Sequence, residues 1–296
     1  MLQHRKFSVS KLIIHAIFIF LSLCCILPLL IILGVSLTEE HSLLVDGYHL
    51  IPKVFSLDAY KYVFTGASSV TRAYFVTIVV TVAGTFLHLL TTAMLAYALT
   101  RKEVTARNLI SFLVFFPVLF SGGLVPSYML IVKTLHLKNT WTVLIIAGLV
   151  APMNVIIMKN FFKSIPESLI ESARMDGSNE YRTLFQIVMP LSTPVIATVG
   201  LFTAIGYWNN WMQCSLYIET SDLYMLQYLL QSLMENIKNI MANMDKIQGL
   251  EQAAKTLPSE GARMATCILS IGPIILLYPL LQKYFEKGLT IGAVKE

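Results

Sequence analysis

Trp208, Asn209, Asn210 and Trp211 place two amides between two indoles inside an otherwise apolar run. Indole faces stack on the C–H surfaces of sugar rings, and amides both donate to and accept from hydroxyls. The quartet therefore suits a membrane path for a carbohydrate. The competing reading is helix packing with tryptophans at the membrane interface. Tyr128 and Ser121 add a ring and a hydroxyl as weaker candidates for the same path. His88 is an ionisable group within an apolar run, a setting that marks functional side chains. A neutral imidazole bonded to a neighbouring helix is its favoured role. A second polar group stands in Lys163–Pro194, where Glu171, Ala173, Arg174 and Asp176 precede Gly177 and Ser178 and Pro190 follows. Glu171 and Arg174 are spaced to pair with each other or with a partner protein.

The signatures of covalent chemistry are missing. No G-x-x-x-x-G-K-[ST] phosphate loop, H-E-x-x-H zinc pair or G-x-S-x-G nucleophile turn occurs. ATP hydrolysis by this chain alone is excluded on that ground, and enzymatic activity is not expected. Cys24, Cys25, Cys214 and Cys267 lack metal-ligand spacing and do not suggest a disulfide scaffold. They are expected to act as small apolar packing residues.

The elements that must position these residues are membrane helices. Of 296 residues, 56% are hydrophobic and 13% charged, about half the charged share of a soluble domain. The apolar residues fall into six blocks near the roughly 20 residues that span a bilayer, at about 12–37, 72–99, 108–132, 140–158, 191–217 and 263–285. An all-α membrane protein with six transmembrane helices in a single domain, 1–296, is expected. The first block is too long for the core of a signal peptide and lacks a small-residue cleavage site, so a retained helix is expected. Ser121-Gly122-Gly123 and Pro126 interrupt the third block, either at a wet or protein-buried break or for close helix packing. The net charge of +5 forms no basic stripe with interleaved aromatics, so nucleic acid is not an expected partner.

Lysines and arginines beside the blocks set the orientation. The arm Met1–Lys11, the loop Thr100–Arg107, the segment 163–190 and the tail Glu286–Glu296 share one side, which is then cytoplasmic, with both termini inside. The intervals 38–71 and 218–262 are external. Aromatics at Tyr48, Phe55, Tyr60, Tyr62 and Phe64 suit the interface, and Ser56–Phe64 suits a short surface helix. Within 163–190, Ser164 and Glu167 are spaced as a capping box and Pro166 suits a first turn. Ile165, Leu169 and Ala173 share one face, and Glu167, Glu171 and Arg174 another. Gly177 ends this helix in a left-handed turn. Ser178 or Asn179 then caps a second helix, Glu180–Val188, which Pro190 closes.

Glu171, Ala173, Gly177, Ile187 and Pro190 stand in the order and spacing of the EAA motif, E-A-A-x3-G-x9-I-x-L-P, with Ser172 and Met189 as departures. The chain thereby resembles the permease subunits of binding-protein-dependent ABC importers. The Trp-Asn pair in the fifth block falls where that family carries one. The ending Gln282 to Lys295 resembles Q-K-Y-F-x-K-G-x-x-x-G-A-V-K of the maltose-permease type, and Phe120-Ser121-Gly122-Gly123 fits its branch for complex oligosaccharides, including aldouronates. The resemblance implies the type I importer permease fold in a bacterial cell membrane, with a coupling helix at 163–190. It also implies a second related permease, two nucleotide-binding ATPase subunits, an extracellular solute-binding protein, a carbohydrate substrate and surrounding lipid. ATP and magnesium are expected in the partner ATPase, with no cofactor in this chain. The coupling residues implied are Glu171, Ala173, Arg174, Asp176, Gly177, Ser178 and Pro190. Other importers share the motif, so a non-sugar solute is the alternative. A self-powered secondary transporter would need midmembrane carboxylates, and the six blocks carry none.

Overall fold

The structure, a computed structural model, describes residues 9–66, 70–242 and 260–275. Among them the regular elements are helices, with one isolated antiparallel bridge between Thr38 and Phe55. The ending at Gln282–Lys295 lies outside the described residues, as do residues 276–285 of the sixth block, residues 243–259 of the interval 218–262 and residues 1–8 of the basic arm. The chain divides into two compact units, Met1–Ser68 with Ser232–Gly272, and Ser69–Gln231 with Pro273–Glu296.

In the first unit, α1 (Val9–Ser36) is apolar along almost its whole length and accommodates Pro28. Its part Ile13–Ser36 is long and apolar enough to cross a membrane. The large side chains from Ile13 to Leu33 are exposed within the chain, as befits a helix whose surroundings are not its own core. Cys24 and Cys25 are exposed on it, and Cys267 is exposed as well. Of the four thiols, only Cys214 of the second unit fills the buried packing role expected of them all. The interval 38–71, expected to be external, forms α2 (Glu40–Asp46) and α3 (Asp58–Gly66). The expected surface helix exists, displaced by two residues. Ser56 lies outside it and accepts the Asp58 N–H at 3.0 Å. The Glu40 carboxylate accepts the N–H groups of Glu260 and Gly261, each at 3.1 Å, at the start of the described helix over 260–275.

The second unit is built on α4 (Val70–Thr100), the other helix long and apolar enough to cross. Its 31 residues span about 46 Å at 1.5 Å per residue, longer than a hydrocarbon core of about 30 Å. Then come α5 (Arg107–Leu119), α6 (Leu124–Met129) running into a π turn over Leu130–Thr134, α7 (Trp141–Ile146) and α8 (Pro152–Lys163). They are followed by α9 (Glu167–Met175), α10 (Glu180–Thr183), a π turn over Leu184–Val188 and α11 (Met189–Leu191). The series closes with α12 (Thr193–Trp208) and α13 (Trp211–Tyr217), and the amphipathic α14 (Leu226–Ala242) starts in this unit and belongs to the first from Ser232 on. The core forms where α4 packs against α8 and α12.

Three of the six expected blocks are not single helices. The third breaks at 120–123, the fourth at 147–151 and the fifth at Asn209-Asn210. In the first break Gly123 takes the left-handed φ of +84°. Pro152 holds Ala151 extended at φ −112°, ψ 116°, as a following proline does. Two described helices are long and apolar enough to cross a membrane, or three if a bent pair counts as one span.

Side chains on α4 divide the core into layers. Val76 and Val80 lie in one dry cluster with Val143 and Leu144. Ala93, Ala96 and Leu99 lie in another with Val155, Met158 and Val199. Between the two clusters, at Gly84 and His88, the packing becomes polar.

Candidate functional site

The charged segment after α8 folds as two short legs around a turn. Ser164 does not cap α9 and no capping box forms. It closes α8 instead, its hydroxyl donating to the Phe161 carbonyl at 2.7 Å. Pro166 holds the N-cap position at φ −55°, ψ 128°, and no side chain caps the helix. The buried face of α9 is Ile170 and Ala173. Leu169 is 45% exposed and Ile165 precedes the helix, so the apolar stripe is rotated from the expected one.

The turn forms as expected. Gly177 has φ +78°, its N–H donates to the Arg174 carbonyl at 3.0 Å, and the Ser178 N–H donates to the Ala173 carbonyl at 2.9 Å. This paired closure requires a left-handed residue at its centre, where glycine costs least. A Cβ built on Gly177 meets nothing within 4 Å, and neighbouring Met175 is 88% exposed. Asn179, not Ser178, caps the second leg, its side-chain oxygen accepting the Arg182 N–H at 2.8 Å.

Arg174 ties this turn to the end of α4. One guanidinium nitrogen bonds Glu103 at 2.8 Å and the other bonds Glu180 at 2.9 Å. The second oxygen of Glu180 accepts from the Tyr97 hydroxyl, and Arg101 lies 4.5 Å from the Tyr97 ring centre. The Arg174 hydrogen bond holds the Glu103 carboxyl below the usual carboxylate range. Glu103 and Glu180 in turn raise the affinity of Arg174 for its proton. The intrahelical pair Glu171–Arg174 is absent because Arg174 is already engaged. Glu171 and Asp176 are exposed and form no ion pair among the described residues.

Pro190 does not close the second leg. The helix runs on through a π turn in which the Met189 N–H bonds the Leu184 carbonyl, and ends at Leu191. The break comes at Ser192, where Glu180–Leu191 meets Thr193–Trp208 at 84°. Pro194 has no N–H for the Pro190 carbonyl, and the Thr193 hydroxyl takes that place at 2.7 Å. Loss of a ladder hydrogen bond at proline is an ordinary cause of a sharp kink.

The polar layer halfway along α4 forms a second site. The break at 147–151 frees backbone carbonyls, and side chains of α4 and α12 satisfy them. Tyr207 donates to Ile145 at 2.7 Å, His88 Nδ1 to Gly148 at 2.8 Å and Thr91 to Leu149 at 3.0 Å. A carbonyl only accepts, so His88 carries its proton on Nδ1. Its Nε2 then accepts from Asn154 Nδ2 at 2.9 Å. The same amide nitrogen donates to the Thr203 hydroxyl at 3.3 Å. The imidazole is neutral and bonded to a neighbouring segment, the role favoured from sequence. Asn210 accepts the Gln213 N–H at 3.2 Å, and its amide also bonds the Gln213 side chain. His88, Asn154, Thr203, Tyr207, Asn210 and Gln213 line a cleft of about 360 Å³.

Of the six path residues expected from sequence, Asn210 alone lines this cleft. Trp208 is buried with its ring 6.3 Å from that of Tyr74. Asn209 is exposed at the end of α12, and Trp211 is 44% exposed. Tyr128 stacks on Tyr217 at 5.8 Å, and the exposed Ser121 accepts the Gly123 N–H. Thr203 and Gln213 were not singled out in the sequence. Thr203 had one available signal, its place seven residues before Asn210, which is two helical turns.

A family model described as "Binding-protein-dependent transport system inner membrane component" matches residues 5–291. Protein LplC of Bacillus subtilis (strain 168) is 41% identical over 270 residues, covering 91% of this chain and 89% of that protein. The polygalacturonan/rhamnogalacturonan transport system permease protein YtcP of the same strain is 36% identical over 294 residues, covering 99% and 100%. A solved structure of a bacterial ABC transporter involved in the import of the acidic polysaccharide alginate matches with a TM-score of 0.78 at 26% identity, over 96% of this chain and 99% of that one. The fold is that of a type I importer permease, as the resemblance implied. Matched along nearly its whole length, the chain belongs to the family of binding-protein-dependent transport system inner membrane components.

Proposed function

We propose that this chain is the permease subunit of an ATP-driven importer and forms the membrane path for a carbohydrate with a second, related permease. The observation that carries the proposal is the turn at Gly177. It is exposed, its far side is open, and its two legs connect to different helices. Arg174 and Glu180 tie it to α4, and the bend at Ser192 ties it to α12. A push on this turn therefore reaches both helices that enclose the polar cleft. Glu171, Asp176 and Ser178 are the side chains that meet the ATPase around Gly177, while Ala173, Arg174 and Pro190 hold the shape behind it. ATP and magnesium act in that partner, not here. Both termini lie on the cytoplasmic side with the turn, and an external binding protein delivers the solute.

The carbohydrate assignment follows the relatives, whose names specify polygalacturonan, rhamnogalacturonan and alginate. Co-purification from the native host with partners identified by mass spectrometry tests the assembly. A P-loop ATPase and a second permease are expected to accompany the chain. Purification as a lone chain or homodimer that moves solute into liposomes without ATP would overturn the proposal.

A further inference from the structure

Three neutral groups of the cleft keep unused hydrogen-bonding capacity. Asn154 spends its Nδ2 on His88 and Thr203, leaving Oδ1 without a partner among the described residues. The Thr203 hydroxyl accepts from Asn154, and its own proton has no acceptor among them. The Gln213 side chain spends its oxygen on Asn210, leaving its amide nitrogen available. One acceptor, one hydroxyl donor and one amide donor thus belong to residues that line a single cleft. Its volume of about 360 Å³ falls at the small end of ligand sites, which run from roughly 300 to 1,000 Å³. A Cβ built on Gly206, at its wall, meets nothing within 4 Å.

We infer that this cleft is a solute-binding site of this subunit for a neutral, hydroxyl-rich sugar unit, contacted by Asn154, Thr203 and Gln213. The inference rests on the permease reading above and adds to it a location and a charge preference. Among the described residues, no Lys, Arg, Asp or Glu lines the cleft. A carboxylate entering it would give up water without gaining a cation, a costly exchange in a low-dielectric interior. Hydroxyls lose little there, because each finds a donor or an acceptor. His88 is a positioning residue. Its Nδ1 proton is committed to Gly148, so Nε2 must accept, and the Asn154 amide must turn its nitrogen toward the ring. The oxygen of Asn154 is thereby presented to the solute.

The test uses the whole transporter, purified with its partners and reconstituted in liposomes. ATP-driven uptake is measured for neutral xylotriose, cellotriose and mannotriose and for acidic trigalacturonate. Uptake of at least one neutral trimer is expected. Asn154→Ala and Gln213→Ala should each raise its half-saturating concentration about 3–10-fold, the loss of one hydrogen bond, with the maximal rate retained. His88→Ala should act like Asn154→Ala, and His88→Gln, which also donates and accepts, should restore most of the affinity. ATP-driven uptake of trigalacturonate alone would overturn the charge preference. Wild-type concentration dependence in both alanine variants would overturn the site while leaving the permease reading intact. Uptake that does not need ATP, or no uptake of any trimer, would sink the permease reading and the site with it.

Discussion

Replacing Gly177 separates the shape of the turn from what the turn touches. At φ +78° an ordinary L-residue costs roughly 1–2 kcal/mol, and asparagine is among the few that visit this region readily. A Cβ there meets nothing within 4 Å, so the backbone conformation is the cost considered. Gly177→Leu therefore weakens the turn by about 5–30-fold in local population. Gly177→Asn leaves it nearly intact yet still projects a side chain from the turn. The segment's other supports, the Arg174 pairs and the Asn179 cap, remain in both variants, so both should reach the membrane. Hydrogen exchange over 167–183 should show near-normal protection for Gly177→Asn and reduced protection for Gly177→Leu. If the ATPase backbone closes on this turn, ATP-driven uptake in liposomes falls about tenfold or more in both, equivalent to about 1.4 kcal/mol of docking. Wild-type uptake by Gly177→Asn would refute the docking argument, because the turn would then tolerate a side chain where the partner is expected.

Arg174→Leu removes two partly exposed ion pairs, each worth about 0.2–1 kcal/mol. Amide exchange should rise in both 100–107 and 174–183, and an increase confined to one of them would contradict the bridge. Gly84→Ala places a Cβ 2.6 Å from the Tyr207 ring. Gly148 confines the same ring, so overpacking should cost about 1–3 kcal/mol, and an unchanged melting temperature in detergent would show that the ring is not wedged. The folded-state pKa of Glu103 lies below its ordinary value, so its contribution is complete above that value, about 4.3. That contribution is lost as pH falls through the depressed value. Protection factors over 100–107, which divide out the pH dependence of the intrinsic exchange rate, should stay flat from pH 8 to 5 and fall in stronger acid, and a fall near neutrality would contradict the Arg174 contact.

Much of the segment 163–190 was legible because its signals are local. Gly177 followed by Ser178-Asn179 specifies a stop and a start within three residues, and the backbone obeys. The capping box at Ser164 failed because α8 runs on to Lys163, so Ser164 ends one helix instead of starting the next. Pro190 failed as a stop because a π turn before it changes the hydrogen-bond pattern. Spacing allowed Arg174 to pair with Glu171, but Glu103, 71 residues away, binds it instead. No local rule contains that contact.

The sequence by itself determined that this is a helical membrane protein with a conformationally specified turn, since apolar run length, glycine chirality and capping act over a few residues. The tertiary structure alone decided where the polar groups converge. Broken spans expose carbonyls, and the side chains that satisfy them come from helices far away in sequence, as His88 does for Gly148 and Tyr207 for Ile145. Of the four residues Trp208 to Trp211, Asn210 is the one that lines the cleft. Helix rotation follows from packing in all directions around α4, and composition along one strand of sequence does not encode it.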